Sequence, residues 1–365
     1  MNDVPVTIKD VARELGVAHS TVSRAIHNDP RISAETRSRV LAMAEKMGYR
    51  PNAAARGLVC RRMQAIGLVI PAVADSFFGQ ITDGVDRVTY DAGFSLSLYV
   101  THGELRRELD VLSRLSERRV DGLILMVRRL PRKLLLSLAE QPIPIVFVEP
   151  QVVGLGFDCV RVDNRDGERQ AVRHLLELGH RRIAFISGPK DSRESRERLA
   201  GYREALLTAG VTPDPQLVLP GEYTEAAGAA AAQRVLEMPA EQRPTALVAF
   251  NDRIAIGAMS ALQQAGLEIP RDMSLVGYDD ILPATYVRPQ LTTVHQPIEE
   301  MGAAAARLLI DRLSRRRGPR ANRNGQEVLL RAALVQRQST APPGADRLGG
   351  FVGQGQGEEV IHSIS

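Results

Sequence analysis

The chain has 365 residues, 44% of them hydrophobic, and a formal net charge of +4, which is enough apolar material for one large or several small cores. Its most apolar runs, AIGLVIPAV and IPIVFVEP, are half the length a membrane-spanning helix needs, and the opening MNDVPVTIKD lacks the basic-then-apolar layout of a secretory signal. Composition therefore argues against a membrane span and for a cytoplasmic protein, and the two cysteines, Cys60 and Cys159, have no CxxC or Cys/His spacing around them, so unpaired thiols and no metal site or cofactor are expected.

Along the chain the charge is uneven. Residues 1–62 hold 11 Lys and Arg against 6 Asp and Glu, leaving 36 against 37 for the remainder. A short basic head is the footprint of a polyanion partner, because neutralising phosphates releases condensed counterions, although a merely solvated basic surface has the same charge. Periodicity separates the two. Ile8, Val11, Ala12 and Leu15 recur at helical spacing, and Thr7 with Asp10 resembles a capping box with a shortened acid. Gly16 supplies a tight turn. A second helix runs from about His19 to Ile26, with Val22, Ala25 and Ile26 on one side and His19, Ser20, Ser23, Arg24 and His27 on the other. Ala18 leaves that helix without a capping side chain, a loss of about 1 kcal/mol. A third helix follows Ser33 and turns Val40, Met43, Ala44 and Met47 inward. Three short helices with a polar-faced one in second place is the helix-turn-helix plan, whose second helix enters the major groove of DNA. An all-α DNA-binding head is expected over residues 1–50.

In RPNAAARGL, Pro51 ends the third helix and Asn52 can cap a new, much shorter one. Isolated helices below roughly 12 residues are marginal in water, and Gly57 costs about another 1 kcal/mol relative to Ala. Alone, this helix frays.

From Ala65 onward, short β runs alternate with helical patterns: IGLVIP, FSLSLYV, DGLILMV and PIVFVE, then RIAFISG, ALVAFND and SLVGYDD, with helices near residues 77–92, 104–119 and 131–140. Such repetition gives parallel sheets covered by helices, and the length accommodates two such units. Ligands of open α/β sheets gather beyond the carboxyl ends of strands, which is where Asn251, Asp252, Asp279 and Asp280 stand. No phosphate-binding glycine loop, HExxH or Ser/His/Asp arrangement is present, so an enzyme is not expected. His174 and His180 lie off one helical face and read as structural. Arg315–Arg320 reads as a solvated helix end, and residues 341–365, rich in Gly and Pro and without leucine heptads, as a disordered tail with no tetramerising helix.

The stretch VTIKDVARELGVAHSTVSRAIHNDPRISAETRSRVLAMAEKMGYRPNAAARGL resembles the DNA-binding head of the LacI/GalR family of transcriptional regulators, with TVSR, ISAETR and MGYRPNAAARGL in order and at the family's spacing. The likeness continues through RRVDGLIL, ELGHRRIAFISGP, RERLAGYREAL, AFNDRIAIGAMSAL, SLVGYDD and LTTVHQP, covering about residues 5–340. It implies that His19 and Ser20 choose the operator sequence and that Arg24 reads a base, able to fork onto a guanine. Thr7, Thr21, Ser23 and Tyr49 match positions that hold phosphates, which set register without reading sequence. Residues 51–62 become the family's hinge helix and linker, with Asn52 at its start and Leu58 as the wedge that enters the minor groove.

For residues 63–340 the resemblance implies a two-lobed α/β effector domain of periplasmic-binding-protein type, crossing between lobes near residues 163, 291 and 320, with a ligand cleft between them. Arg198, Asn251 and Asp279 match effector-binding positions, and Tyr223 falls where an aromatic plate stacks on a sugar. Phe77 and Phe78 match the cleft wall, Glu149 stands where many members keep Asp, and Gln296 caps the pocket from the third crossover. A salt bridge between lobes is the rival role for Arg198, and helix capping the rival for Asn251. Met126 replaces a commonly polar pocket residue, so a nucleobase-type ligand stays open beside a sugar. A repressor binding a palindromic operator as a homodimer is implied, since one head reads a half-site. The sign of the effector's action is left open. A sugar-binding receptor without DNA function would leave the basic head idle.

Overall fold

A computed structural model describes residues 6–26, 28–49, 63–113, 120–127, 130–139, 143–315 and 325–344. Residues 50–62, which hold Cys60 and the expected hinge residues Asn52 and Leu58, lie outside the described residues, as do His27, residues 316–324 and residues 345–365.

In the head, α1 (Ile8–Leu15), α2 (His19–Ile26) and α3 (Ala34–Lys46) fall where the periodicity places them. Helix α1 starts where the Asp10 carboxylate accepts the Thr7 N–H (3.0 Å) and hydroxyl (2.6 Å). It stops where Gly16 adopts a left-handed φ of 66°, a conformation that costs glycine little. At α2, the Ala18 carbonyl accepts the N–H groups of Thr21 (2.9 Å) and Val22 (3.3 Å). The Ser33 hydroxyl caps α3 by accepting the Thr36 N–H (3.2 Å). Val11, Ala12, Val22, Ala25, Val40 and Ala44 bury one another at the centre.

The body builds two sheets. The first lobe takes β1 (Ala65–Ile70), α4 (Ser76–Asp91), β2 (Ser95–Val100), α5 (Leu105–Ser113), β3 (Gly122–Leu125), α6 (Arg132–Ala139), β4 (Ile145–Val148) and β5 (Asp158–Val162). The chain then enters the second lobe through α7 (Asn164–Glu177), β6 (Ile183–Ile186), α8 (Arg193–Thr208), β7 (Val218–Leu219), α9 (Glu225–Glu237), β8 (Ala246–Ala249), α10 (Asp252–Gln264), β9 (Ser274–Asp279) and β10 (Thr292–His295). Helix α11 (Ile298–Arg315) returns to the first lobe, β11 (Glu327–Leu330) extends its sheet, and β12 (Ala333–Val335) closes the second. Strand orders are β11-β5-β4-β3-β1-β2 and β12-β10-β9-β8-β6-β7. All pairs are parallel except β10 with β12, so the second sheet carries one antiparallel edge.

The first crossing falls at Asp163, as expected, but the other two are displaced. Residues 292–295 pair in parallel with β9, from Thr292 beside Val276 to His295 beside Asp279, so the second crossing is at Gln296–Pro297 rather than near 291. The third lies between β11 and β12, at Arg331–Ala332 rather than near 320, because residues 327–330 first pair with β5. Both errors have one cause: strands of only four residues, TTVH and EVLL, are too short to stand out from linkers in apolar patterning.

Helix α4 packs on α11 at a pair of glycines. A Cβ on Gly84 would stand 1.9 Å from the Glu299 carbonyl oxygen, and one on Gly302 would stand 2.2 Å from that of Ile81. The second lobe repeats the device, with Gly228 against the Ile254 carbonyl and Gly257 against that of Glu225, both at 1.9 Å. Among the described residues, no helix is long and apolar enough to cross a membrane.

Candidate functional site

In the head, burial of Val22 and Ala25 rotates the opposite face of α2 outward. His19, Ser20 and Arg24 are exposed there, with Thr21 and Ser23 half-buried at its flanks. Thr7 is exposed at the start of α1, although its hydroxyl is already committed to Asp10. Tyr49 is half-buried against the three-helix core, which raises its phenol pKa above the usual value. The head thus offers one exposed polar helix face with the guanidinium of Arg24 near its end, an arrangement that suits the edge pattern of a major groove.

In the body, Phe77, Phe78, Glu149, Arg198, Tyr223, Asn251, Asp279 and Gln296 all line one cavity of about 70 Å³ between the lobes, open to solvent at its mouth. The first lobe contributes Asp75 and the two phenylalanines from the start of α4, an apolar floor of Met126, Val127 and Val148, and Glu149 at the end of β4. The second contributes Glu194 and Arg198 from α8, Tyr223, and Phe250, Asn251 and Asp279 from the ends of β8 and β9. Gln296 comes from the second crossing, not the third.

Two of the carboxylates sit on strained backbone. Glu149 and Asp279 have φ of 49° and 117°, a region L-residues rarely occupy and one that collects at ligand sites. Each ends a strand of its own lobe, so the two acids enter the cavity from opposite sheets.

Arg198 is buried, its guanidinium 3.5 Å from the centre of the Tyr278 ring and 4.3 Å from that of Phe250. Its Nε donates to Asn164 Oδ1 (2.9 Å) and its Nη1 to the Phe250 carbonyl, with Asp279 3.8 Å away. All these partners belong to the second lobe, so the alternative of an interlobe salt bridge at Arg198 is overturned. Gln296 Nε2 donates to Asp279 Oδ1 (2.6 Å) and fixes that carboxylate. Asn251 does cap a helix, its Oδ1 accepting the Ile254 N–H (2.9 Å) at the start of α10 while the residue also lines the cavity. Asp252, at the same strand end, is fully buried and bound to Thr293 Oγ1 (2.5 Å) and the Ile281 N–H (2.9 Å). Asp280 turns instead to His295 (3.1 Å) and Arg337.

The lobes are joined by residues that local pattern did not single out. Arg193 on α8 donates to Glu149 Oε2 (2.6 Å), the Pro150 carbonyl (2.7 Å) and Glu197 (2.6 Å). Glu149 Oε1 also accepts the Val162 N–H (2.6 Å). Burial pushes the Glu149 carboxyl up to about 7, reinforced by Glu194 and opposed by Arg193. On the other side of the cavity Asp75 caps α4 and reaches Arg253 of α10 at 3.1 Å. The Asp75 cap, directly ahead of Ser76-Phe77, was detectable as a helix-start signal. Arg193 and Glu194 were not, because DSRESRER reads as an undifferentiated charged run.

His174 bonds Thr340 (3.0 Å), and His180 bonds Thr245 (2.8 Å) and the Ala341 carbonyl (2.9 Å), so both pin the chain after β12 rather than face the cavity. Cys159 is a buried free thiol, pushed by burial up to about 11.

Comparison with known proteins converges on one architecture. Residues 7–52 match the model described as bacterial regulatory proteins, lacI family, and residues 172–340 the periplasmic binding protein-like domain. The chain is 35% identical over 308 residues to the HTH-type transcriptional repressor PurR of Aliivibrio fischeri, covering 84% of this chain and 91% of that protein. A structure of the lac repressor dimer bound to operator and the anti-inducer ONPF is similar at a TM-score of 0.80 and 28% identity, over 92% of this chain and 99% of that one. The transcriptional regulator CelR in complex with cellobiose is similar at a TM-score of 0.70 and 33% identity, with the same coverage.

Proposed function

This chain belongs to the lacI family of bacterial regulatory proteins, and from that premise we propose how its DNA-binding head and ligand-binding body work together in transcriptional repression. The protein binds a palindromic operator in the cytoplasm as a homodimer, since one helix-turn-helix head spans a half-site. His19 and Ser20 select bases, Arg24 forks onto a guanine, and Thr7, Thr21, Ser23 and Tyr49 set register on phosphates. Asn52 and Leu58 act at the operator centre.

The effector is a small, hydroxyl-rich molecule, a sugar. The observation that carries this reading is the convergence of Arg198, Asn251, Asp279 and Glu149 with the Phe77, Phe78 and Tyr223 rings on one interlobe cavity. Donors and acceptors on strand ends suit hydroxyls, and aromatic faces suit the apolar side of a sugar ring. Because both lobes line it, a bound ligand contacts both and shifts their arrangement by its difference in affinity for the two states. A coupling of about 1 to 3 kcal/mol is the usual scale for such regulators.

A thermal-shift panel of mono- and disaccharides beside hypoxanthine and guanine tests the ligand class. Stabilisation by a sugar that Asp279→Asn removes supports the reading. Stabilisation by a nucleobase alone replaces it with the other ligand class.

A further inference from the structure

Behind the side of Arg198 that lines the cavity lies a polar cluster that ligand contact does not use. Glu168 on α7 is fully buried, and among the described residues neither of its carboxyl oxygens has a hydrogen-bond partner; nor does the hydroxyl of the fully buried Tyr278 on β9. Close packing explains the enclosure. A Cβ on Gly201 would stand 2.3 Å from the Arg165 carbonyl oxygen and 3.0 Å from Glu168 Cβ, and one on Gly167 would stand 2.3 Å from the Tyr278 hydroxyl. Two glycines thus let α8 and β9 close over a carboxyl group.

Arg198 belongs to the same cluster. Its Nε donates to Asn164, one turn before Glu168 on α7, and its guanidinium lies on the Tyr278 ring. The charged and titratable groups that face Glu168 are Arg198 and Tyr202 from α8 and Tyr278 from β9. Of the strands packed against α7, β8 and β12 carry no titratable residue, and β10 carries only His295, which is exposed and bound to Asp280. Burial pushes the Glu168 carboxyl up to about 8, with Arg198 pulling it down. The group therefore keeps its proton at neutral pH.

Building on the effector reading above, we propose that Glu168 is a positioning residue of the effector site, acting through Arg198. As a neutral acid it leaves the guanidinium directed toward Asp279 and the cavity. As a carboxylate it draws that charge backward, so ligand binding at Arg198 is linked to a proton at Glu168.

The test uses the full chain. An NMR titration with carboxyl-labelled glutamate, from about pH 5 to about pH 10, follows the Glu168 signal, assigned by its loss in Glu168→Gln. Its midpoint is expected above the ordinary glutamate range and higher still in Arg198→Met, where the cation is gone. Should Arg198→Met not fold, Asn164→Ala, which frees the Arg198 Nε, is expected to move the same midpoint. Calorimetric titrations with D-ribose and with cellobiose then compare about pH 7 with about pH 9. The sugar that binds should lose roughly fivefold in affinity at the higher pH, and Glu168→Gln should lose clearly less, keeping only the part due to Glu149, which lines the same cavity and is raised to about 7. An ordinary midpoint for Glu168, a midpoint that ignores Arg198, or the same pH dependence in Glu168→Gln overturns the proposal. If neither sugar binds the unaltered chain, the ligand that stabilises it in the thermal-shift panel takes their place in the calorimetry, and the NMR titration decides separately whether Glu168 and Arg198 are paired.

Discussion

Arg24 and Arg198 carry the same guanidinium to opposite ends of solvation. Arg24 is exposed on α2, whereas Arg198 is stacked between two rings and fully engaged at its Nε. For Arg24 the expected cost of Arg24→Ala is about 1 to 3 kcal/mol of operator affinity with relaxed base preference, and Arg24→Lys should not rescue it, since the fork is lost. Competition binding against a randomised half-site reads both. In the body, Glu149 and Arg193 form a buried pair whose halves differ in what they leave behind. Arg193→Met strands a carboxyl against Glu194 and Glu197 and should cost about 3 kcal/mol or more. Glu149→Gln keeps a neutral isostere and should cost less; the reverse order in chemical denaturation would mean that the pair does not form. The pH dependence has a definite sign. Glu149 is raised from 4.5 to about 7 in the fold, so between those values the folded chain holds a proton that the unfolded chain has released. Stability therefore falls as pH rises through that window and is flat above it for this group. Glu149→Gln should make the Tm profile shallower there.

At the scale of elements, propensity and packing make opposite forecasts at Gly84. Helix propensity alone favours Gly84→Ala by about 1 kcal/mol. The added Cβ, however, would stand 1.9 Å from the Glu299 carbonyl of α11, a backbone atom that cannot step aside without moving the helix. We expect a lower Tm; a higher one would show that α4 and α11 do not cross so closely. Ser33→Ala, by contrast, removes only a cap on an exposed helix start and should cost the head about 1 kcal/mol by denaturation. The head elements were readable in the residues because their signals are local: a cap, a periodic face and a left-handed glycine all lie within a turn or two of one another. Residues 292–295 and 327–330 were misplaced because so short a strand is defined by its partner, here β9 and β5, and not by its own composition.

For the molecule as a whole, removal of residues 1–62 should abolish operator binding while leaving the ligand-induced thermal shift of the body, a result that an enzyme or a transport receptor would not share. Each lobe also leaves large apolar side chains in solvent, Tyr90 and Leu98 on the first and Leu282 and Tyr286 on the second, which suits burial against a second copy. Tyr286→Asp is accordingly expected to shift sedimentation toward monomer and to weaken operator binding. Residue pattern alone was sufficient for a basic helical head, an α/β body and the strand ends that gather at one cavity, because charge segregation and hydrophobic periodicity are properties of neighbours in the chain. It could not reveal that Arg198 is held within one lobe, that Arg193 ties the two lobes together, or that Glu168 is enclosed beneath the site. Those facts depend on contacts made 34, 52 and 44 residues apart and on two glycines that let helices touch. Desolvation and ion pairing are set by whatever the fold brings alongside, so they come into being only when it closes.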